Sequence, residues 1–101
     1  MPRKKKANSF EGYRIFETDE YSKRLKKLSK RDAEYIQNKL INYVYDQLRE
    51  EPHYGNNIKK LKDYVPEMWR YRIGKFRVFY TIDEEDKIVF FITVEFRKDA
   101  Y

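Results

Sequence analysis

The sequence predicts an α+β domain in the order strand, helix, helix, strand, strand, strand. It should form a mostly antiparallel twisted sheet with two helices packed on one face. Three observations carry this. Apolar residues recur at helical spacing between residues 19 and 50. Three stretches between 68 and 96 are alternating or apolar and rich in β-formers. The connections between those stretches are too short for anything but antiparallel neighbours.

The elements follow in order. Residues 1–12 read as a flexible basic tail, with Arg3, Lys4, Lys5 and Lys6 and no acidic side chain before Glu11; residues 13–101 read as a single domain. YRIFET (13–18) alternates and is the first strand. Thr18 can cap a helix whose first turn holds Asp19 and Glu20, which suit the positive end of the helix dipole. Tyr21, Leu25 and Leu28 then fall on one face. Ser29 offers a second cap, with Asp32 three residues on. Ala33, Ile36, Leu40, Val44 and Leu48 line one side of a longer helix, which Pro52 stops. PHYGNN (52–57) is a loop, and 58–67 is expected to be irregular, with Ile58 and Leu61 packing inward. MWRYRI (68–73), KFRVFYTI (75–82) and KIVFFITVEF (87–96) complete the sheet, with turns at Gly74 and at the acidic run 83–86.

With 101 residues, 41% hydrophobic and 18% aromatic, the chain can build one core; it is not a disordered chain. No apolar run reaches the roughly 18 residues of a membrane span. MPRKKKANSF lacks the apolar stretch of a secretory signal, so a cytoplasmic location is expected. Without cysteine there are no disulfides, thiolate zinc sites or thiol nucleophiles. No phosphate-cradling glycine loop is present, and neither a metal nor another cofactor is expected. His53, the sole histidine, sits in a loop and is expected to be solvated.

The net charge of +6 is unevenly placed. Between 58 and 82, Lys59, Lys60, Lys62, Arg70, Arg72, Lys75 and Arg77 face only Asp63 and Glu67. Strand alternation puts Trp69, Tyr71 and Ile73 on one side and Arg70 and Arg72 on the other; Phe76, Val78 and Tyr80 likewise oppose Arg77 and Phe79. In the last strand the all-apolar set Ile88, Phe90, Ile92, Val94 and Phe96 is expected to face the helices. Val89, Phe91, Thr93, Glu95 and Arg97 would then face out. Arg70, Arg72, Arg77 and Arg97 would collect on the open face around Phe79 and Phe91. Clustered arginines suit the bidentate binding of an anion, nucleic acid being the commonest large one. The plainer reading is that Glu67, Glu95 or helix carboxylates neutralise them.

IKKLKDY (58–64), WRYRIGKFRVFYTID (69–83) and VEFRKDAY (94–101) resemble the RelE/ParE superfamily of toxins from type II toxin–antitoxin pairs. The resemblance covers residues 13–101. Its RelE-like branch implies a metal-independent, ribosome-dependent mRNA endonuclease that uses the RNA 2′-hydroxyl as nucleophile. It implies catalytic roles for Arg70, Arg72, Arg77, Arg97 and Tyr101, with Arg77 stabilising the phosphorane and Tyr101 stacking on a base or moving a proton. Lys59, Lys60, Lys62, Lys75 and Phe79 become the expected RNA contacts, and the three lysines of 59–62 are also candidate acids or plain surface charge. Both hairpin positions are arginine here, and Phe96 stands where related toxins carry histidine, so Tyr101 is the leading base. The implied partners are a cognate antitoxin, the ribosome and mRNA, with no membrane. Two other activities fit the same fold: a ParE-like inhibitor of DNA gyrase, and an inert relative that only binds antitoxin.

Overall fold

Both helix starts form as their residues dictate. In the computed structural model, which describes residues 12–96, strand β1 (Arg14–Glu17) runs into helix α1 (Asp19–Lys27) through Thr18. The Thr18 hydroxyl accepts from the Tyr21 N–H at 3.2 Å and donates to the Phe91 carbonyl at 2.7 Å. One side chain thus caps the helix and ties it to the sheet. The Ser29 hydroxyl accepts from the Asp32 N–H at 3.0 Å and opens α2 (Lys30–Lys39). The basic tail residues Arg3, Lys4, Lys5 and Lys6 lie outside the described residues.

The long second helix is not uniform. A π turn (Leu40–Val44) separates α2 from α3 (Tyr45–Glu50). The reason is visible in the apolar spacing. Four-residue steps overshoot an α-helical turn by about 40° each, so Ile36, Leu40, Val44 and Leu48 would drift round the helix. The wider turn absorbs the drift, and all four side chains reach the core.

Four more strands follow: β2 (Ile58–Lys60), β3 (Trp69–Ile73), β4 (Phe76–Asp83) and β5 (Ile88–Phe96). The sheet order is β1-β5-β4-β3-β2. β1 lies parallel to β5 and every other pair is antiparallel. The sheet is therefore mixed, and it gains a strand where residues 58–67 are expected to be irregular. Three residues are too few to show a period, yet Ile58, Lys59 and Lys60 pair with Tyr71, Arg70 and Trp69.

The core lies between the helices and one sheet face. Tyr21, Leu25, Ile36, Leu40, Val44 and Leu48 meet Trp69, Tyr71, Ile73, Phe76, Val78, Tyr80, Val89, Phe91 and Val94. Here the expected phase of the last strand needs correction. Phe79 pairs with Thr93 but Tyr80 pairs with Phe91, so Ile92 is the extra residue of a β-bulge. Val94 points inward as expected, whereas Val89 and Phe91 are inverted and fully buried. Phe91 therefore leaves the arginine face and packs among Tyr21, Tyr45 and Tyr80 at ring separations of 5.3, 6.4 and 6.3 Å. Burying a ring of this size is worth about 2–3 kcal/mol, and on the outer face much of that would be lost.

The tyrosines do much of the core work. Tyr80 donates to the Pro52 carbonyl at 2.8 Å, Tyr71 to the Gln47 side chain at 2.6 Å and Tyr45 to Glu17 at 2.6 Å. Burial pushes the hydroxyls of Tyr21, Tyr45 and Tyr80 well above their ordinary range. Among the described residues the buried Tyr21 hydroxyl has no hydrogen-bond partner.

Candidate functional site

Cross-strand register builds the outer face of the sheet, because directly opposed residues share a side. One row runs Lys59, Arg70, Phe79, Thr93 across β2, β3, β4 and β5. The next runs Arg72, Arg77, Glu95 across β3, β4 and β5. Arg72 and Arg77 are direct partners. The guanidinium of Arg77 lies 5.5 Å from the centre of the Phe79 ring, a cation–π contact on the same face.

Glu67 and Glu95, two carboxylates near this face, are bonded to other side chains. Glu67 accepts from Lys60 at 2.9 Å. Glu95, opposite Arg77, accepts from Arg24 of α1 and from the Thr93 hydroxyl at 3.2 Å. Arg24 and Glu95 therefore form a strut between α1 and the rim of the arginine face.

The structure brings Lys59, Arg70, Arg72, Arg77 and Phe79 together and separates the other expected contacts. Lys60 opposes Trp69, so it sits on the helix side, with its ammonium 5.7 Å over the indole. Lys62 lies beyond β2, beside Asp63, Tyr64 and Glu67 in a shallow side hollow. Lys75 is exposed in the hairpin turn. Arg97 and Tyr101 lie outside the described residues.

Sequence reasoning missed two aromatic rings on the same outer face. Phe16 pairs with Phe90, which pairs with Thr81, and the two rings meet edge to face at 5.7 Å. Phe16 is 55% exposed. The bulge at Ile92 hid Phe90, because simple alternation points it inward.

His53 also departs from expectation. It is not solvated. Its Nδ1 lies 2.8 Å from Glu51 and its Nε2 lies 2.6 Å from Glu84, and its ring meets Trp69 edge-on at 5.3 Å. Carboxylates at both ring nitrogens require both to donate, so the imidazolium is the matching form. Burial alone would lower its pKa, but the hydrogen bonds to Glu84 and Glu51 outweigh that and raise it. This clamp joins the helix exit to the acidic turn. Among the described residues no group of His, Asp and Glu is arranged to hold a metal ion, and no helix is long and apolar enough to cross a membrane.

This arrangement offers guanidinium donors in two adjacent rows with an aromatic ring between them. The donors can grip a phosphate through paired N–H bonds and stabilise added negative charge on it. The sequence profile of the ParE toxins of type II toxin–antitoxin (parDE) systems matches residues 15–101, which is most of the chain. The chain belongs to the RelE/ParE toxin superfamily. Among solved structures, the archaeal RelE–RelB complex of Pyrococcus horikoshii is similar at TM-score 0.65 and 23% identity, covering 88% of this chain and 99% of that one. The RelBE2 toxin–antitoxin complex of Mycobacterium tuberculosis is similar at TM-score 0.66 and 24% identity, covering 85% and 99%. A free mutant RelE toxin of E. coli is similar at TM-score 0.62 and 23% identity, covering 89% and 87%. No curated protein matches in sequence. RelE/ParE membership accounts for the strand and helix order, and the structural likeness extends to the mixed sheet with helices on one side.

Proposed function

We propose that this toxin is a metal-independent endoribonuclease that cuts mRNA on the ribosome. One observation carries the reading. Arg72 and Arg77 are set directly opposite each other on adjacent strands, with Arg70 and Lys59 in the next row. Like charges directly opposed destabilise a sheet, so the arrangement is understandable where a polyanion is to be held.

The 2′-oxygen attacks the adjacent phosphorus, the bond to the 5′-oxygen breaks, and the products are a 2′,3′-cyclic phosphate and a 5′-hydroxyl. The 2′-hydroxyl proton goes to a base and the leaving 5′-oxygen takes up a proton. Arg77 and Arg72 contact the phosphate oxygens, and charge accumulating on them in the phosphorane strengthens those bonds. Losing one such donor costs about 3–4 kcal/mol, or roughly 10²–10³ in rate. Arginine does not deprotonate near neutral pH, so it is not the proton carrier. Tyr101 is the proposed base and Arg97 a second phosphate contact, both on the superfamily resemblance. Lys59 is the RNA-backbone contact that the register supports. The proposed partners are a cognate antitoxin, the ribosome and mRNA, in the cytoplasm. The antitoxin reading rests on the family and on relatives that are toxin–antitoxin complexes.

Primer extension on a defined mRNA in a reconstituted translation system tests this. New 5′ ends at A-site codons, dependent on ribosomes and lost in Arg77→Ala, are expected. Intact mRNA with continued translation would overturn it. The ParE family profile favours a second reading, inhibition of DNA gyrase by protein binding. Under that reading RNA stays intact while supercoiling by purified gyrase is blocked.

A further inference from the structure

A cleft of about 400 Å³ lies on the helix side of β3, bounded by Tyr35, Lys39 and Tyr43 of α2 and the π turn, and by Arg72 and Gly74 of β3 and its turn. It opens where the pairing of β2 with β3 ends. β2 pairs with β3 from Trp69 to Tyr71, the Arg72 N–H still donates to the Asn57 carbonyl at 2.9 Å, and Asn56 and Asn57 form part of the wall. Its volume falls within the range of small-ligand sites, roughly 300–1,000 Å³.

The walls have a specific chemistry. The Lys39 ammonium sits 5.9 Å from the Tyr35 ring centre and 5.3 Å from that of Tyr43. Tyr43 is 61% exposed although it is a large aromatic. The Gln47 carboxamide is held at both ends, accepting from the Tyr71 hydroxyl at 2.6 Å and donating to the Asn56 carbonyl at 2.9 Å. Among the described residues neither Lys39 nor Arg72 forms an ion pair. Gly74 is required at the rim. Its φ is +56°, and a Cβ there would meet the Tyr35 hydroxyl at 2.6 Å.

Arg72 links this cleft to the arginine face, since it opposes Arg77 there and also borders the cleft. We propose that the cleft is a nucleotide subsite: an RNA strand gripped on the arginine face passes Arg72 at the Gly74 end of β3, stacks a base on Tyr43 or Tyr35, and meets Lys39 with a flanking phosphate. Exposed aromatic faces interleaved with cations are what single-stranded RNA requires, because every base offers a π face and every linkage a charge. An acidic peptide would use the cations and leave the tyrosines idle. This inference rests on the endoribonuclease reading, and its test separates the two.

The test uses the full chain and an RNA oligonucleotide with 2′-deoxy substitution at the cut position, so that it binds without cleavage. Affinity is read by fluorescence anisotropy for the wild type, Tyr43→Ala, Lys39→Ala with Tyr43→Ala, and Arg77→Ala. The double variant is expected to bind about tenfold more weakly or worse, with an unchanged melting temperature, as both residues lie at the surface rim. The same RNA carrying 4-thiouridine is expected to cross-link to Tyr35 or Tyr43 peptides on illumination. If the double variant binds like wild type and no such cross-link forms while Arg77→Ala loses binding, the subsite is wrong and the endoribonuclease reading stands. If neither Arg77→Ala nor the cleft variants change RNA binding, both fail. If a Glu-rich peptide binds with dependence on Lys39 and Tyr43 while RNA does not, the cleft is a peptide site and the proposal is overturned.

Discussion

Arg72→Gln should raise stability while lowering RNA affinity. Arg72 directly faces Arg77 across β3 and β4, is exposed, and forms no ion pair among the described residues. Directly opposed side chains place their Cβ atoms about 5 Å apart. Two guanidinium groups splayed to roughly 6 Å in nearly aqueous surroundings repel by about 0.7 kcal/mol. Physiological salt reduces that to about 0.3 kcal/mol. In a domain of this size the relief corresponds to a melting-temperature rise of roughly 1–5 °C, larger in dilute buffer and vanishing near 0.5 M salt. The functional effect has the opposite sign. A hydrogen bond to a charged group is worth about 1.5–3 kcal/mol, so binding to an uncleavable RNA should weaken by roughly tenfold to a hundredfold. Circular-dichroism melts at two salt concentrations, run beside anisotropy titrations, measure both. A clear fall in melting temperature at low salt would mean that attraction holds Arg72 in place, and the argument from opposed charges to an anion site would collapse.

Three other outcomes follow from the geometry. Tyr80→Phe strands the buried Pro52 carbonyl and should cost about 1–3 kcal/mol, while Tyr21→Phe deletes a buried hydroxyl that has no partner among the described residues and should be neutral or stabilising; melts that move the same way for both would contradict this. His53 has a raised folded pKa, so its clamp contributes fully below the unfolded value near 6.5 and is lost as pH rises through the folded value. Its partners Glu51 and Glu84 have lowered pKa values and lose their contribution as pH falls below the ordinary carboxylate range. Stability against pH should therefore decline on the alkaline side in wild type and be flat there in His53→Asn; matching alkaline slopes would remove the clamp from the account. Gly74→Ala forces a left-handed backbone onto a side chain and displaces Tyr35, at about 1–2 kcal/mol or more; the additional variant Tyr35→Ala should recover the part due to the clash, and no recovery would place the whole cost in the backbone.

Local signals in the chain were readable wherever one residue type dictates one job. Thr18 and Ser29 cap the helices they precede. Arg70, Arg72 and Arg77 share a face because period-2 alternation holds through β3 and β4. The misreadings have physical causes. Ile92 adds a residue that resets the phase of β5, and nothing in KIVFFITVEF marks which of its apolar residues is the extra one. β2 is shorter than any period and is stabilised by its partner strand, so Lys60 could not be separated from Lys59. His53 is held by Glu84, thirty-one residues away, a contact no local pattern reveals. The cleft escapes notice because it is defined by where β2 stops.

Ile92 also sets how this chain can tolerate insertions and deletions. Removing one residue elsewhere between Ile88 and Phe96 would turn part of the strand over, driving Glu95 or Thr93 into the core or Phe91 out of it. Removing Ile92 alone leaves every other side chain on its present face, since Tyr80 already pairs with Phe91 and Phe79 with Thr93. A one-residue gap at this point therefore separates two equivalent strands. Chains that differ there can keep the same core and the same arginine face, and differ only in the local bend of the strand that leads towards Arg97.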